Sequence, residues 1–380
     1  MIPERLLLGP GPSPISARVL RAMSLPVLSH LDPAMMVIMD ELRDCLGRVF
    51  CAPDGALSLA VSGTGSAGME AAVANTASES TRVAAVVNGY FGDRLASMFE
   101  SYGASVTRIP GEWGRACDPE GIARVMGSAR VDILAVVHAE TSTGVLNPLR
   151  DVMAVASAGG ALTVVDAVTS LGGMPVRTAE WGIDVCYSCT QKGLGAPSGL
   201  APISFSARAR GRQASRSFYV DLALLEDYWV RRKYHHTISA PLIYALREAL
   251  AAVEDEGLEA RWSRHEANHL ALAAGLGALG LELLPPPGER LWTLNAVRVP
   301  EGVDESAVRR RLLEEFGIEI GAGLGPLAGR IWRVGLMGSG STLSNVLLFL
   351  SAFERVLRQA GVRVEHADAA LTAAEAAARN

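Results

Sequence analysis

The sequence predicts an α/β protein, with a large domain on a mostly parallel, mixed sheet and a smaller C-terminal α/β domain. Three observations carry that expectation. From about residue 16 to residue 255, short β-branched runs alternate with longer amphipathic ones, the pattern of βα units around one sheet. The break Pro285-Pro286-Pro287-Gly288 separates two helical stretches from a βαβ-like region through Val334. A chain of 380 residues is long enough for one large and one small domain.

The elements follow in chain order. Residues 1–15 read as an N-terminal arm, in which Leu6-Leu7-Leu8 turns at once into Gly9-Pro10-Gly11-Pro12. Asp32 as cap, Pro33 in the first turn, and Met35, Ile38, Met39, Leu42, Leu46 and Val49 at helical spacing predict a helix from Pro33 to Phe50. Strands are expected at Leu57–Val61, Val83–Val87, Ser105–Ile109, Asp132–Val137, Ala161–Val165, Asp184–Ser188 and Ala201–Phe205, all in one sheet of a large domain spanning 16–255. After Ala240-Pro241 come two helical stretches, to Glu256 and then to Leu279. The smaller domain spans 256–365, and the Ala-rich tail 366–380 is a helix or a frayed end.

Composition narrows the function classes. Hydrophobic residues make up 49% of the chain and charged ones 20%, with a formal net charge of −5, the balance of a globular protein without a polyanion partner. Two basic runs, Arg208, Arg210, Arg212 and Arg216, then Arg231-Arg232-Lys233, read as solvated faces, so no nucleic acid is expected. No stretch approaches the roughly 20 apolar residues of a membrane helix, and the N-terminus lacks a signal peptide's apolar core. A cytoplasmic protein is expected. Five cysteines, Cys45, Cys51, Cys117, Cys186 and Cys189, are too few and odd in number for a disulfide framework.

Three segments carry chemistry. Lys192 follows an apolar strand inside the Gly-rich turn Gln191-Lys192-Gly193-Leu194-Gly195, and Lys233 is the only other lysine in the chain. A surface-loop lysine is the alternative. Asp166 ends the run Leu162-Thr163-Val164-Val165, where a charge after a buried strand needs a cationic partner or caps the following turn. Ser62-Gly63-Thr64-Gly65-Ser66-Ala67-Gly68, between a strand and a helix, offers amides and hydroxyls to an anion. An imine-forming lysine, a carboxylate and a phosphate cup are what pyridoxal phosphate (PLP) chemistry requires. The same loop also spells G-x-G-x-x-G, so a nucleotide-dependent oxidoreductase competes, although Val86-Val87-Asn88-Gly89 has no acidic residue to grip a ribose.

Two further motifs are discounted. His265-Glu266-Ala267-Asn268-His269 spells H-E-x-x-H but has no third ligand nearby, and is expected on a surface helix. Cys186-x-x-Cys189 lacks a second pair and reads as buried free thiols. No metal is expected. His138 is given a structural role near the cofactor, and His235-His236 a role at an interface.

Taken together, Leu8 to Pro12, Ser62 to Glu70, Asn88 to Arg94, His138 to Pro148, Asp166 to Gly173, Gln191-Lys192, Tyr234 to Thr237 and Arg333 to Gly338 resemble one family. It is the alanine/serine–glyoxylate aminotransferase family, class V of the PLP-dependent aminotransferases. The resemblance runs from residue 6 to about residue 360 and implies the PLP-dependent transferase fold type I. By it, Lys192 holds the cofactor as a Schiff base and shuttles the proton, and Asp166 pairs with the pyridine nitrogen. Val168 packs on one ring face and Phe91, where the family often has Trp, stacks on the other. Thr64, Gly65, Ser66 and Gln191 hold the phosphate, with Ser66 where the family often has His. Tyr234 and Thr237 reach the neighbouring subunit's phosphate in a homodimer. Arg333 binds the substrate carboxylate through its planar fork, helped by Ser142.

The resemblance therefore implies a ping-pong transfer from a small amino acid such as alanine or serine to a 2-oxo acid such as glyoxylate or pyruvate. A PLP lyase, epimerase or desulfurase on the same fold is the alternative, as is an aminotransferase of a specialised pathway. A desulfurase wants a mobile cysteine late in the chain, and none follows Cys189.

Overall fold

The computed structural model describes residues 2–210, 215–363 and 367–378. All seven expected strands form and join one sheet. They are β1 (Leu57–Ser62), β2 (Arg82–Val87), β3 (Ser105–Pro110), β4 (Ile133–Val137), β5 (Leu162–Asp166), β6 (Val185–Tyr187) and β7 (Leu200–Phe205), in the order β1-β7-β6-β5-β4-β2-β3. The pairs from β6 to β3 are parallel, and β7 runs antiparallel to both of its neighbours. β4 and β5 are buried along their whole length, which is why β4 reads as an unbroken apolar run and β5 as one broken only by Thr163 before Asp166. Helix α1 (Pro33–Val49) starts where expected, with Ala34 N–H donating to the Asp32 carboxylate at 2.8 Å. Helices α2 (Gly65–Ala74) and α3 (Tyr90–Ser101) follow β1 and β2 directly.

The C-terminal ends of β1, β2, β4, β5 and β6 gather at one edge of the sheet, the edge at which open α/β sheets bind ligands. Ser62, Asp166 and Tyr187 all stand there.

Helices α4 (Ala240–Glu256) and α5 (Leu258–Ala278) match the two expected helical stretches. Beyond them lies a second hydrophobic cluster that includes Leu272, Leu276, Trp332, Val334 and Phe353, with Leu8 of the arm inside it. The region expected to be βαβ-like is instead an antiparallel sheet of β8 (Leu294–Arg298), β9 (Gly321–Ala322) and β10 (Ile331–Gly335), in the order β8-β10-β9. The helix Glu305–Phe316 lies between β8 and β9, but the chain turns back after β9 and β10 inserts between them, so no parallel neighbours arise. Helix α6 (Leu343–Gln359) covers this sheet, and a last helix, Ala367–Ala377, accounts for most of the tail. His366, Arg379 and Asn380 lie outside the described residues.

The arm ties the two regions together. Leu6–Leu7 pairs in parallel with Ile318–Glu319, Gly335 N–H donates to Leu8 O at 2.7 Å, and Ser13 N–H donates to Gln191 O at 2.8 Å. Arg261 of α5 adds a second tie. Its buried guanidinium donates to Gly172 O and Gly193 O, each at 2.8 Å, and to Glu256 at 2.7 Å.

The H-E-x-x-H segment does not lie on a surface face. His265 and His269 are buried; His265 Nδ1 donates to Arg261 O at 2.7 Å and its Nε2 accepts from Gly338 N–H at 3.2 Å. His269 Nδ1 donates to Asn295 Oδ1 at 2.6 Å. Apolar neighbours at helical spacing, Ala271, Leu272 and Leu276, turn this face inward despite the charged residues around it. Among the described residues no group of three metal-ligating side chains exists, and no helix is long and apolar enough to cross a membrane. The basic runs are paired with carboxylates: Arg208 with Asp184, Arg210 with Glu226, Arg216 with Glu79, and Arg231 and Lys233 with Asp227. Arg212 lies outside the described residues.

Candidate active site

Lys192 is 7% exposed, in a loop that leaves little freedom. Thr190 Oγ1 donates to Pro197 O at 2.5 Å, Ser13 Oγ donates to Lys192 O at 2.9 Å, and a Cβ on Gly193 would lie 2.3 Å from Leu171 O. Lys192 Nζ donates to Thr169 Oγ1 at 2.8 Å and Thr141 Oγ1 at 3.2 Å, and the two threonine hydroxyls touch each other. Burial lowers the ammonium's pKa from its ordinary value, the direction a lysine nucleophile needs, and Arg333 adds to it.

Asp166, the last residue of β5, is buried. Val168 N–H donates to its Oδ1 and the Tyr187 hydroxyl to its Oδ2, each at 2.8 Å. The turn-capping role is thus present, but it uses one oxygen only. Burial pushes the carboxyl up to about 6, against the pull of those two donors and of Lys192. Among the described residues no cation forms an ion pair with it.

The strand-to-helix loop is open to an anion. Thr64 is the N-cap residue of α2, yet its hydroxyl makes no capping bond, which leaves the first amides of the helix free for a ligand. Gly63 has φ +140 and a Cβ there would lie 2.4 Å from Ala67 Cβ, so the loop requires glycine. A Cβ on Gly65 would press on Val168 at 3.1 Å. Gln191 lines the same opening, where its side-chain amide NH2 is the group able to donate to an anion. The ribose-gripping position of a dinucleotide site is closed, because the Asn88 side chain bonds Arg115 O and both side-chain atoms of Asn147.

One cavity of about 260 Å³ brings together Thr64, Gly65, Ser66, Phe91, Asp166, Val168, Gln191, Lys192 and Arg333. Lys192 Nζ lies 5.8 Å from the Phe91 ring centre. Arg333 on β10 donates through Nε to Ala322 O at 2.6 Å and through Nη1 to Thr141 O at 3.2 Å. Burial pushes it down to about 10, opposed by Glu140 and Glu319. A larger hollow of about 660 Å³, lined by Arg150, Trp181 and Arg208, contains neither Lys192 nor Asp166.

Four of the expected residues are not brought to this cavity. Ser142 is fully buried; its hydroxyl donates to Glu140 at 2.5 Å and accepts from Tyr90 N–H at 2.9 Å, and Thr141 lines the cavity in its place. Tyr234 is 61% exposed, packed on His30, and Thr237 is also exposed. His138 bonds Ser170 at 2.9 Å and sits against Trp181, outside the cavity. His236 bonds Ser62 at 2.7 Å, and His235 donates to Tyr219 O at 3.0 Å.

Sequence reasoning missed Thr141, Thr169, Tyr187 and Glu140. The last caps α3, accepting from Gly92 N–H at 3.1 Å and Phe91 N–H at 3.4 Å. Glu140 and Thr141 belong to the family-like stretch His138 to Pro148, one or two residues from Ser142.

PLP meets each open requirement of this cavity: an amine for its aldehyde, a carboxylate without a cation for its ring nitrogen, free helix amides for its phosphate. The class so defined is the PLP-dependent transferases of fold type I, and comparison narrows it. A family model described as aminotransferase class-V matches residues 7–330. The (S)-ureidoglycine–glyoxylate transaminase of Bacillus subtilis strain 168 is 40% identical, over 96% of this chain and 93% of that protein. The alanine–glyoxylate aminotransferase of Drosophila melanogaster is 37% identical, over 96% and 95%. Among solved structures, the ureidoglycine–glyoxylate aminotransferase of Bacillus subtilis superposes with a TM-score of 0.96 over 100% of this chain and 99% of its own, at 40% identity. The alanine–glyoxylate aminotransferase of a Nostoc species superposes with a TM-score of 0.92 over 94% and 96%, at 46% identity. The chain belongs to the class-V aminotransferases and is a PLP-dependent transaminase.

Proposed function

We propose that this transaminase moves the amino group of a small amino acid, such as alanine or serine, to a 2-oxo acid such as glyoxylate or pyruvate, in two half-reactions at one site. The observation that carries this reading is that Lys192, Asp166 and Arg333 line one cavity, with Arg333 as the cation for a carboxylate. A substrate with one carboxylate handle suits it. Glyoxylate appears in the names of both relatives, which supports it as acceptor.

When bound, PLP supplies an aldehyde for the amines and a ring that takes up the electron pair left at the substrate's α-carbon. Lys192 Nζ would hold the cofactor and move the proton at the substrate's α-carbon, and the Thr169 and Thr141 hydroxyls orient it. Asp166 would face the ring nitrogen and favour its protonated form, Phe91 and Val168 would pack on the ring, and Thr64, Gly65, Ser66 and Gln191 would hold the phosphate. Arg333 binds the substrate carboxylate with the part of its fork not committed to Ala322 and Thr141. Ser142 acts by position, fixing Thr141 through Glu140 and Tyr90.

The enzyme acts as a homodimer in which Tyr234 and Thr237 of a second copy complete the phosphate cup. Exposed Phe218, Tyr219 and Tyr234 on one face support this. Residues 16–255 and 256–365 act as large and small domains joined by the arm, and the free thiols of all five cysteines fit a cytoplasmic location. The test is a matrix of donors and acceptors with product detection. Glycine formed from glyoxylate at the expense of alanine or serine is expected. Elimination or racemisation of the donors with no transfer would favour the lyase or epimerase reading.

A further inference from the structure

We propose that Tyr187 is a positioning residue for this reaction, its phenol fixing the charge and orientation of Asp166 toward the cofactor's ring nitrogen. The proposal rests on the role of Asp166 above. Asp166 and Tyr187 are register partners on the adjacent parallel strands β5 and β6, so their side chains emerge on the same face. Tyr187 is fully buried, and its ring packs in the main core, where phenylalanine would serve packing equally well. Its one polar atom has a single partner, Asp166 Oδ2 at 2.8 Å. With Val168 N–H on Oδ1, each oxygen has one fixed donor, and the carboxylate plane is set while lone pairs remain for a third.

The surroundings make that donor matter. Lys192 draws Asp166 toward its charged form and Glu140 opposes it. The Cys186 and Cys189 thiols beside it are themselves pushed up by burial and stay neutral. Arg333 lines the same cavity, with Glu140 and Glu319 as its charged neighbours. Burial already pushes Asp166 up to about 6, so losing a hydrogen bond to the charged form carries its titration into the neutral range. A protonated Asp166 cannot pair with a protonated ring nitrogen. Cofactor affinity therefore falls as pH drops through the Asp166 pKa, and the onset of that fall reports on Tyr187.

The experiment measures cofactor dissociation across pH by absorbance, without substrate, for the wild-type protein and Tyr187→Phe. In the variant the pH of half-loss should move up by about one unit, a tenfold change in proton affinity. Superimposable profiles would overturn the proposal. In an Asp166→Asn background, Tyr187→Phe should change affinity by less than about twofold; an equal loss in both backgrounds would assign Tyr187 to packing alone. Replacing tyrosine by 3-fluorotyrosine keeps the ring and strengthens the donor, so the half-loss pH should move down, and an unmoved profile again rejects the role even if Tyr187→Phe does not fold. No turnover is measured, so these failures leave the donor and acceptor assignment standing. Failure of the wild-type protein to bind PLP at all would instead remove the reading beneath it.

Discussion

Lys192 Nζ donates at 2.8 Å to Thr169 Oγ1, which lies 23 positions earlier in the chain, in the loop that follows β5. Thr169 thereby holds the amine that must move a proton. Thr169→Val keeps the shape and removes the acceptor, a loss of about 1 kcal/mol. The single-turnover rate should drop about fivefold with cofactor content unchanged. An unaltered rate in stopped-flow absorbance would show that the hydroxyl is dispensable.

Lys192→Ala should give a folded protein that binds PLP without covalent attachment and has no turnover. Borohydride reduction followed by peptide mass spectrometry should place the label on Lys192 in the parent enzyme. Lys233 is 67% exposed along its side chain and ion-paired with Asp227, so a label there would contradict the site.

Arg333→Lys keeps a charge but loses the fork that bonds Ala322 O and Thr141 O while presenting the rest to substrate. Donor concentration for half-conversion should rise at least about tenfold, equivalent to about 1.4 kcal/mol, with the bound cofactor's spectrum normal. Normal conversion at unchanged concentrations of alanine and serine would place the carboxylate elsewhere.

Subunit mixing tests the dimer. Tyr234→Ala should weaken cofactor binding although Tyr234 lies outside its own chain's cavity. Mixed with Lys192→Ala subunits, it should regain activity, since one of the two sites in each mixed dimer then has both residues. Mixtures no more active than their components would argue that Tyr234 acts within its own chain or not at all.

Four buried histidines set the acid limit of the fold. Burial pushes His138 and His265 down to about 3, and His236 and His269 down to about 4. Because these folded values lie below the unfolded one, the unfolded chain gains protons first. Stability is complete above about pH 6.5 and is lost as pH falls toward the folded values, on the order of 2 kcal/mol at pH 5 for a fully buried ring. The thermal midpoint should fall steadily from pH 6.5 to 4.5; a flat profile would mean that the rings are hydrated.

Much of this was legible in the sequence, for identifiable reasons. β4 and β5 announce themselves because strands buried on both faces are mostly apolar; Asp166 stands out as a charge that closes such a run, and Lys192 as a charge in the Gly-rich turn a few residues beyond β6. Tyr187 does not, because its meaning depends on the register between β5 and β6, which no local pattern encodes. The same holds for His265 and His269, whose inward face is decided by packing against the second sheet. The antiparallel β8-β10-β9 order was hidden for a related reason: strand, helix, strand looks alike whether or not a later strand inserts between them.

The arm has a consequence for the order of events during synthesis. Residues 6–13 emerge before all of their partners here, Gln191, Ile318, Glu319 and Gly335. At about 5–20 residues per second, the arm waits on the order of tens of seconds before the last of these leaves the ribosome. The segment that closes behind the cofactor lysine is thus among the last to be secured. A nascent chain should stay open to protease at the arm until β10 is complete.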